Sequence, residues 1–401
     1  MASEINVYKW ERIVPVEFVR YKDRPPAGTY APDLDNRGFC NYGGPVVGVC
    51  RGDLTRVRVR REALDKDAPL FVSSADSGKL TIVNPSPNPG ELPSGRFAHI
   101  DFRASNTDGD VKIRIHAQKL NGPIVAELTV HISQLLTVLC AVHRTAIYKP
   151  PSTRTAANTT ARTFAEIDNL TAEVNRQWRP CGIEFSIDTR KDDTNLTNQV
   201  PRNGINPTDG ALLCPIYGTE GEAGVNVNFG LLMATNRVNR RLNLHFVRQI
   251  RTASATGEPF YIGFGSADAK GLVVSDTTSD VETQAHTLAH ELGHILTLAS
   301  MGHSVREDSH SDDDPQWTKK EVNRRHDLYT RRRLMYYMVG LNAEDRRGPG
   351  GRYTMYDWDG TDVGYGRGRP GHMITIKHLD QDQTDNEYTD ARNQQATLFT
   401  P

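Results

Sequence analysis

Hydrophobic periodicity changes once along this chain, and that change limits what it can fold into. Before residue 135, apolar residues recur at every second position in short stretches. These are "TRVRVRR" (Thr55–Arg61), "KLTIV" (Lys79–Val83), "RFAHIDFRA" (Arg96–Ala104), "VKIRIHA" (Val111–Ala117) and "IVAELTVHI" (Ile124–Ile132). Turn-forming runs such as "NPSPNPGELPSG" and "NTDGD" separate them. Period two places one set of side chains on one face of a strand. Short strands of this kind, divided by turns, predict an antiparallel, Ig-like all-β sandwich over residues 1–135. No long helical pattern interrupts them, and no cluster of His, Cys and acidic residues there suggests chemistry.

The texture shifts at Leu136. "LLTVLCAVHRTAIY" (Leu135–Tyr148) begins as a buried strand and is followed by Pro150–Pro151. In Ala161–Gly182 the residues Phe164, Ile167, Leu170 and Val174 have helical spacing, and Pro180 and Gly182 end the helix. "IEFSID" (Ile183–Asp188), "RLNLHFVRQI" (Arg241–Ile250) and "GLVVSD" (Gly271–Asp276) read as strands. Strands alternating with helices predict a mixed α/β (α+β) domain over residues 136–401. A chain of 401 residues also exceeds one ordinary core, so two domains are expected.

Asp280 precedes "VETQAHTLAHELGHILTLAS". Asp suits the N-cap and Glu282 the first turn, while Ala285, Leu288, Leu292, Ile295 and Ala299 form one apolar stripe. His290 and His294 are four residues apart, so on a helix they lie one turn apart on one face and can reach one ion. Glu291 completes H-E-x-x-H, here "HELGH". Neutral imidazoles suit Zn²⁺, the ion lowers the pKa of water, and a neighbouring carboxylate can carry the proton to a leaving amine. His286 lies two turns from His294. Eight residues of helix span about 12 Å, so one tetrahedral ion cannot collect both ends. His286 is expected to support the ligands or to pack.

"HELGH", a later histidine and then "LMYY" (Leu334–Tyr337) together resemble the metzincin zinc peptidases, whose extended pattern is H-E-x-x-H-x-x-G-x-x-H followed by a Met-turn. The chain departs from that pattern. Thr297 stands at the glycine position and Ser300 at the third histidine, and the next histidine is His303 after Gly302. A helix break at Gly302, one turn late, would let His303 fold back. His310, Asp308 and the acidic run Asp312–Asp314 are the competing ligands. The resemblance implies Zn²⁺ held by His290, His294 and His303, Glu291 as general base and acid, and Met335 as the apolar floor. It also implies that Tyr337 donates to the oxyanion of the transition state. An extended substrate would add to an edge strand beside the helix, for which "GLVVSD" is the candidate. Gly340–Gly371 is expected to form a long loop after the Met-turn, and Thr384–Gln395 a closing helix.

The expected activity is therefore that of a zinc endopeptidase acting on a protein or peptide, with a secretion apparatus or an inhibitor protein as further partners. Two alternatives stand beside it: a binding or adhesion protein with a structural metal domain, and a zinc amidase acting on cell-wall peptides. A net charge of -1 argues against nucleic acid or an anionic membrane as partner. No apolar run approaches the roughly 20 residues of a membrane span. The N-terminus lacks the pattern of a Sec signal, so a secreted effector or toxin would use another route, and a cytoplasmic location is the alternative. Cys40 with Cys50, and Cys181 with Cys214, are the possible disulfides among five cysteines. Neither Cys40 nor Cys50 lies in a recognisable cysteine-switch motif, so latency through a metal-bound thiol is not expected.

Overall fold

The computed structural model describes residues 16–19, 27–29, 46–61, 67–86, 90–179, 182–201, 205–214, 227–252, 260–261, 263–266, 270–276, 281–297, 354–356 and 362–364. These residues are mostly strand, in several sheets, with few helices.

The first part holds β1 (Val16–Val19), β2 (Val46–Cys50), β3 (Leu54–Arg61), β4 (Leu70–Ser74), β5 (Leu80–Asn84), β6 (Gly90–Glu91), β7 (Phe97–Ala104), β8 (Gly109–Ala117) and β9 (Ile124–Ser133). One sheet has the order β1-β3-β7-β5 and the other β2-β9-β8-β4-β6. Val57, Ile100 and Phe102 of the first share one core with Ile113, Ile115 and Val130 of the second. Alternation has done this: in β5 the residues Leu80 and Ile82 are buried and Thr81 and Val83 exposed.

The sandwich is not wholly antiparallel, because β2 runs parallel to β9, with Val46 opposite Thr129. The chain leaves β2 through a turn at Gly52 (φ +76°) and enters β3 in the other sheet. Strand β2 therefore has no hairpin partner in its own sheet and borders a strand from far along the chain. Arg61 is a charged residue on the buried face of β3, in phase with Val57 and Val59. It is buried, and its guanidinium donates to the carbonyls of Pro93 (2.7 Å), Gly95 (2.8 Å) and Leu92 (3.3 Å). Burial lowers its pKa, and those carbonyls give the buried cation its partners.

The second part holds β10 (Leu136–Arg144), β11 (Ala146–Ile147), α1 (Phe164–Trp178), β12 (Ile183–Lys191), β13 (Asn195–Leu196), β14 (Ala211–Cys214) and α2 (Val227–Ala234). Then come β15 (Leu242–Val247), β16 (Gln249–Thr252), β17 (Phe260–Tyr261), β18 (Gly263–Ser266), β19 (Gly271–Ser275) and α3 (Val281–Thr297), and a hairpin of β20 (Thr354–Tyr356) and β21 (Asp362–Gly364). The central sheet has the order β12-β10-β15-β19-β18. Its first four strands are parallel and β18 is antiparallel.

Helix α1 starts at a capping box. Thr163 Oγ1 accepts from the Glu166 N–H at 3.2 Å, and the Glu166 carboxylate accepts from the Thr163 N–H at 2.7 Å. Its apolar stripe packs with that of α3 on one face of the sheet, where Ile167, Leu170 and Val174 join Leu288, Leu292 and Ile295. The other face is covered by α2, whose Phe229, Leu232 and Met233 pack with Val247, Ile250 and Val273. Among the described residues, no helix is long and apolar enough to cross a membrane.

Arg241–Ile250 is not one strand. It divides at exposed Arg248 into β15, buried throughout the central sheet, and β16, which pairs with β14 in a separate sheet. The Asp276 N–H meets the carbonyls of Val247 (3.1 Å) and Arg248 (3.3 Å) at the split, so the bend has its own hydrogen bonds.

Two histidines sit opposite each other in this sheet, His143 on β10 and His245 on β15. Both are fully buried, with rings stacked at 4.2 Å. His143 donates through Nε2 to Asn243 Oδ1 and accepts at Nδ1 from Thr194, each at 3.0 Å. That tautomer follows from Asn243 Oδ1, which also accepts from the Val238 N–H and so is an acceptor here. Burial lowers both pKa values, that of His245 well below the usual histidine range, and the neighbouring imidazole adds to its shift. The fold thus holds both rings neutral, while the unfolded chain takes up protons near pH 6.5. Stability from this pair is complete above that pH and falls as the solution is acidified. Each proton excluded costs about 1.4 kcal/mol per pH unit below that point. We expect thermal melts of His245→Phe to show a weaker loss of Tm between pH 7 and 5 than the wild type; parallel curves would contradict this.

Candidate active site

Helix α3 carries the H-E-x-x-H pattern as continuous helix, so positions 290 and 294 stand one turn apart. Its predicted apolar residues Ala285, Leu288, Leu292 and Ile295 are all buried. The helix follows β19 and folds back over the sheet. Near its start, Gln284 Nε2 donates to the Ser275 carbonyl at 2.5 Å, joining the helix to the end of β19.

Glu291 is the one member of the pattern whose side chain is described. It is 8% exposed. Burial pushes its carboxyl up to about 8, against the opposing effect of the Gly265 N–H, which donates to it. The neighbour is therefore β18, the edge strand of the central sheet. A Cβ at Gly263 would stand 2.9 Å from both Glu291 Cγ and Thr287 Cγ2, and one at Gly265 would stand 2.8 Å from the Glu291 carbonyl oxygen. Only glycine leaves room for the helix at these two places.

This corrects one expectation. Gly271–Asp276 does not supply the edge: β19 lies between β15 and β18, and all five of its residues are buried. The edge strand beside the helix is Gly263–Ser266. Its "GFGS" has too few apolar residues to register as a strand by hydrophobicity, although glycines at alternate positions are themselves a sign of close backbone approach.

The remaining predicted residues fall outside what the structure describes. The side chains of His286, His290 and His294 lie outside what is described, as do Asp280, Ala299, Ser300, Gly302, His303, Asp308, His310, Asp312–Asp314, Met335 and Tyr337. The stretches Gly340–Gly371, apart from the short hairpin, and Thr384–Gln395 lie there too. Among the described residues, no group of three or more His, Cys, Asp and Glu side chains forms a metal cluster. The helix places positions 290 and 294 on successive turns, the spacing that two ligands of one ion would need, with the buried Glu291 carboxyl between them in sequence.

Cys40 and Cys181 also fall outside the described residues, so neither disulfide pairing is placed. Cys50 is buried, and its thiol donates to the Arg179 carbonyl at 3.4 Å. Trp178 is a residue that sequence reasoning passed over. It ends α1, is fully buried, and donates from its indole N–H to the Ala289 carbonyl at 3.2 Å. A large aromatic with one donor at the end of an amphipathic helix was the available signal.

No family model and no curated protein matches this chain. Among solved structures, an S-layer protein aligns twice, as a long fragment at 17% identity and as its domains 4 and 5 at 15%, each with a TM-score of 0.18. They cover 23% and 29% of this chain, which spans 12% and 53% of theirs. A cohesin–dockerin complex from Clostridium thermocellum aligns at 15% identity and a TM-score of 0.17, over 29% of this chain and 99% of that one. Alignments this weak carry no argument about fold or activity.

Two outcomes follow from the contact of α3 with β18. In metal-free protein, the folded state keeps the Glu291 proton that the unfolded chain releases above about pH 4.5. Stability then declines as pH rises from there to about 8. Glu291→Gln should remove that decline and be more stable by roughly 3 kcal/mol at pH 7. Urea titrations of chelator-treated protein at pH 5 and 7 test this, and an equal gap at both would contradict it. Gly265→Ala should cost about 1–3 kcal/mol by overpacking in the same titration, and an unchanged midpoint would count against the close approach.

Proposed function

We propose that the chain is a zinc-dependent endopeptidase with a metzincin-like catalytic domain behind an N-terminal β-sandwich. The observation that carries this reading is the position of Glu291. A carboxyl between two histidine positions of one helix, buried and turned to an edge strand, is arranged for proton transfer at a bound peptide. A helix that needed only to pack would place an apolar residue there.

In this reading His290, His294 and His303 hold the metal, with His310 or Asp308 as the alternative third ligand. Zinc would supply Lewis-acid activation of the scissile carbonyl and of water. Glu291 takes a proton from the nucleophile and returns it to the leaving amine. A cation beside it would lower its pKa from the metal-free value and leave the carboxylate free to take that proton. Tyr337 donates to the developing oxyanion. An extended substrate lies along β18, whose outer edge has no described strand beside it, and its main chain supplies the hydrogen bonds. The mixed sheet with one antiparallel edge strand supports this reading, because it brings such an edge to the metal helix. A protein substrate, an inhibitor protein, a secretion apparatus and release by a route without a classical signal belong to the same proposal.

The test is metal content by plasma mass spectrometry on wild type and Glu291→Ala, with casein and muropeptide digestion in parallel. We expect one zinc per chain in both, and casein cleavage that falls by about 10²–10⁴-fold in the variant. Cleavage of muropeptides alone would identify a cell-wall amidase. Zinc with no hydrolysis of either would favour a binding protein with a structural metal, and protein that binds no zinc would end the proposal.

A further inference from the structure

Two consecutive residues at the end of α1 point in opposite directions. Trp178 points inward and its indole N–H reaches the Ala289 carbonyl of α3 at 3.2 Å. That carbonyl belongs to the peptide group whose nitrogen is residue 290. Arg179 points toward the sandwich. Its Nη2 and Nε donate to the two carboxylate oxygens of Asp53 at 2.6 and 2.8 Å, and its Nη1 donates to Glu184 at 3.1 Å.

Both ends of this link are held. Asp53 lies in the β2–β3 turn, where its side chain accepts from the Cys50 N–H at 3.3 Å and its carbonyl accepts from the Ala104 N–H at 3.1 Å. The Arg179 carbonyl accepts from Cys50 Sγ at 3.4 Å and from the Gly182 N–H at 2.8 Å. The Asp53 carboxylate is 11% exposed, so little water competes for the fork. On the inner side Trp178 packs edge-on against Phe185 at 5.9 Å and shares the core of α3 with Ala285, Ala289 and Leu292.

We propose that Trp178 and Arg179 are positioning residues that tie the β-sandwich to the metal helix, so that the state of the Asp53 fork sets the orientation of the 289–290 peptide and with it the affinity for zinc. The metal part of this inference rests on the zinc reading above. The carbonyl of a mid-helix residue is ordinarily used by the amide four residues on, and a second donor at Ala289 fixes the roll of α3 about its axis. A helix cannot roll without moving every side chain it carries, so this one bond bears on positions 290 and 294 together. With the fork broken, the end of α1 keeps only the Cys50 thiol contact among these links to the sandwich, and the indole is held less firmly.

The experiment compares full-length wild type, Asp53→Asn, Trp178→Phe and the double variant. Zinc dissociation constants come from chelator competition, and ligand geometry from the visible spectrum of the cobalt-substituted protein. Each single variant should weaken zinc roughly ten-fold and shift the cobalt bands. The double variant should be no weaker than about either single one, because both act through one path. A hundred-fold loss in the double variant, or single variants that melt lower with unchanged affinity and spectrum, would overturn the coupling.

Hydrogen exchange of the 290–296 amides in chelator-treated protein separates this inference from the zinc reading. Faster exchange in Asp53→Asn supports the link even if the wild type binds no zinc. Unchanged exchange defeats the link even if the wild type binds zinc tightly.

Discussion

The second half of the molecule depends on how closely one helix can approach one edge strand. Gly263 and Gly265 give α3 the clearance to lie against β18, and any side chain there would meet Glu291 or Thr287. That approach excludes water from Glu291, which raises its pKa, and it joins the helix to the sheet at the strand that a substrate would line. Gln284 secures the helix at its start and Trp178 in its middle. Gln284, Thr287 and Glu291 share one face of the helix and Ala289 lies on another, so the helix is restrained in position and in roll.

Much of this arrangement was legible in the residues, for identifiable reasons. Strands β3, β5, β7, β8 and β9 alternate because one face of each is buried and the other is not. The stripes of α1 and α3 follow the helical period because both helices cover one face of one sheet. Where a segment is buried on both faces, or on neither, periodicity gives no signal. Strand β15 is buried throughout and runs on into β16, so the break at Arg248 leaves no mark in hydrophobicity. Strand β18 is short and half glycine, and β2 is a plain apolar run whose parallel pairing no local pattern encodes.

The site divides in the same way. H-E-x-x-H is local and readable, whereas its setting is not. The edge strand, the indole on Ala289 and the arginine fork on Asp53 all join residues far apart in the chain, and only the fold brings them together. Arg61 and the stacked pair of His143 and His245 teach the converse lesson. No local pattern marks these polar residues as buried, yet each is buried and hydrogen-bonded.

The parallel pairing of β2 with β9 bears on how the chain is made. Among the described residues, strand β2 joins its sheet through β9 alone, with Val46 opposite Thr129 and Cys50 opposite Ser133. During synthesis β2 therefore waits, unpaired in its sheet, while β3 through β8 emerge. Contacts so distant in sequence close slowly, and an unpaired apolar strand is a template for association with other chains. Arg179 emerges later still, after every described strand of the sandwich has been made. The N-terminal half is then a finished surface on which the second half docks, and a nascent chain held before residue 133 would expose the apolar edge that the mature protein conceals.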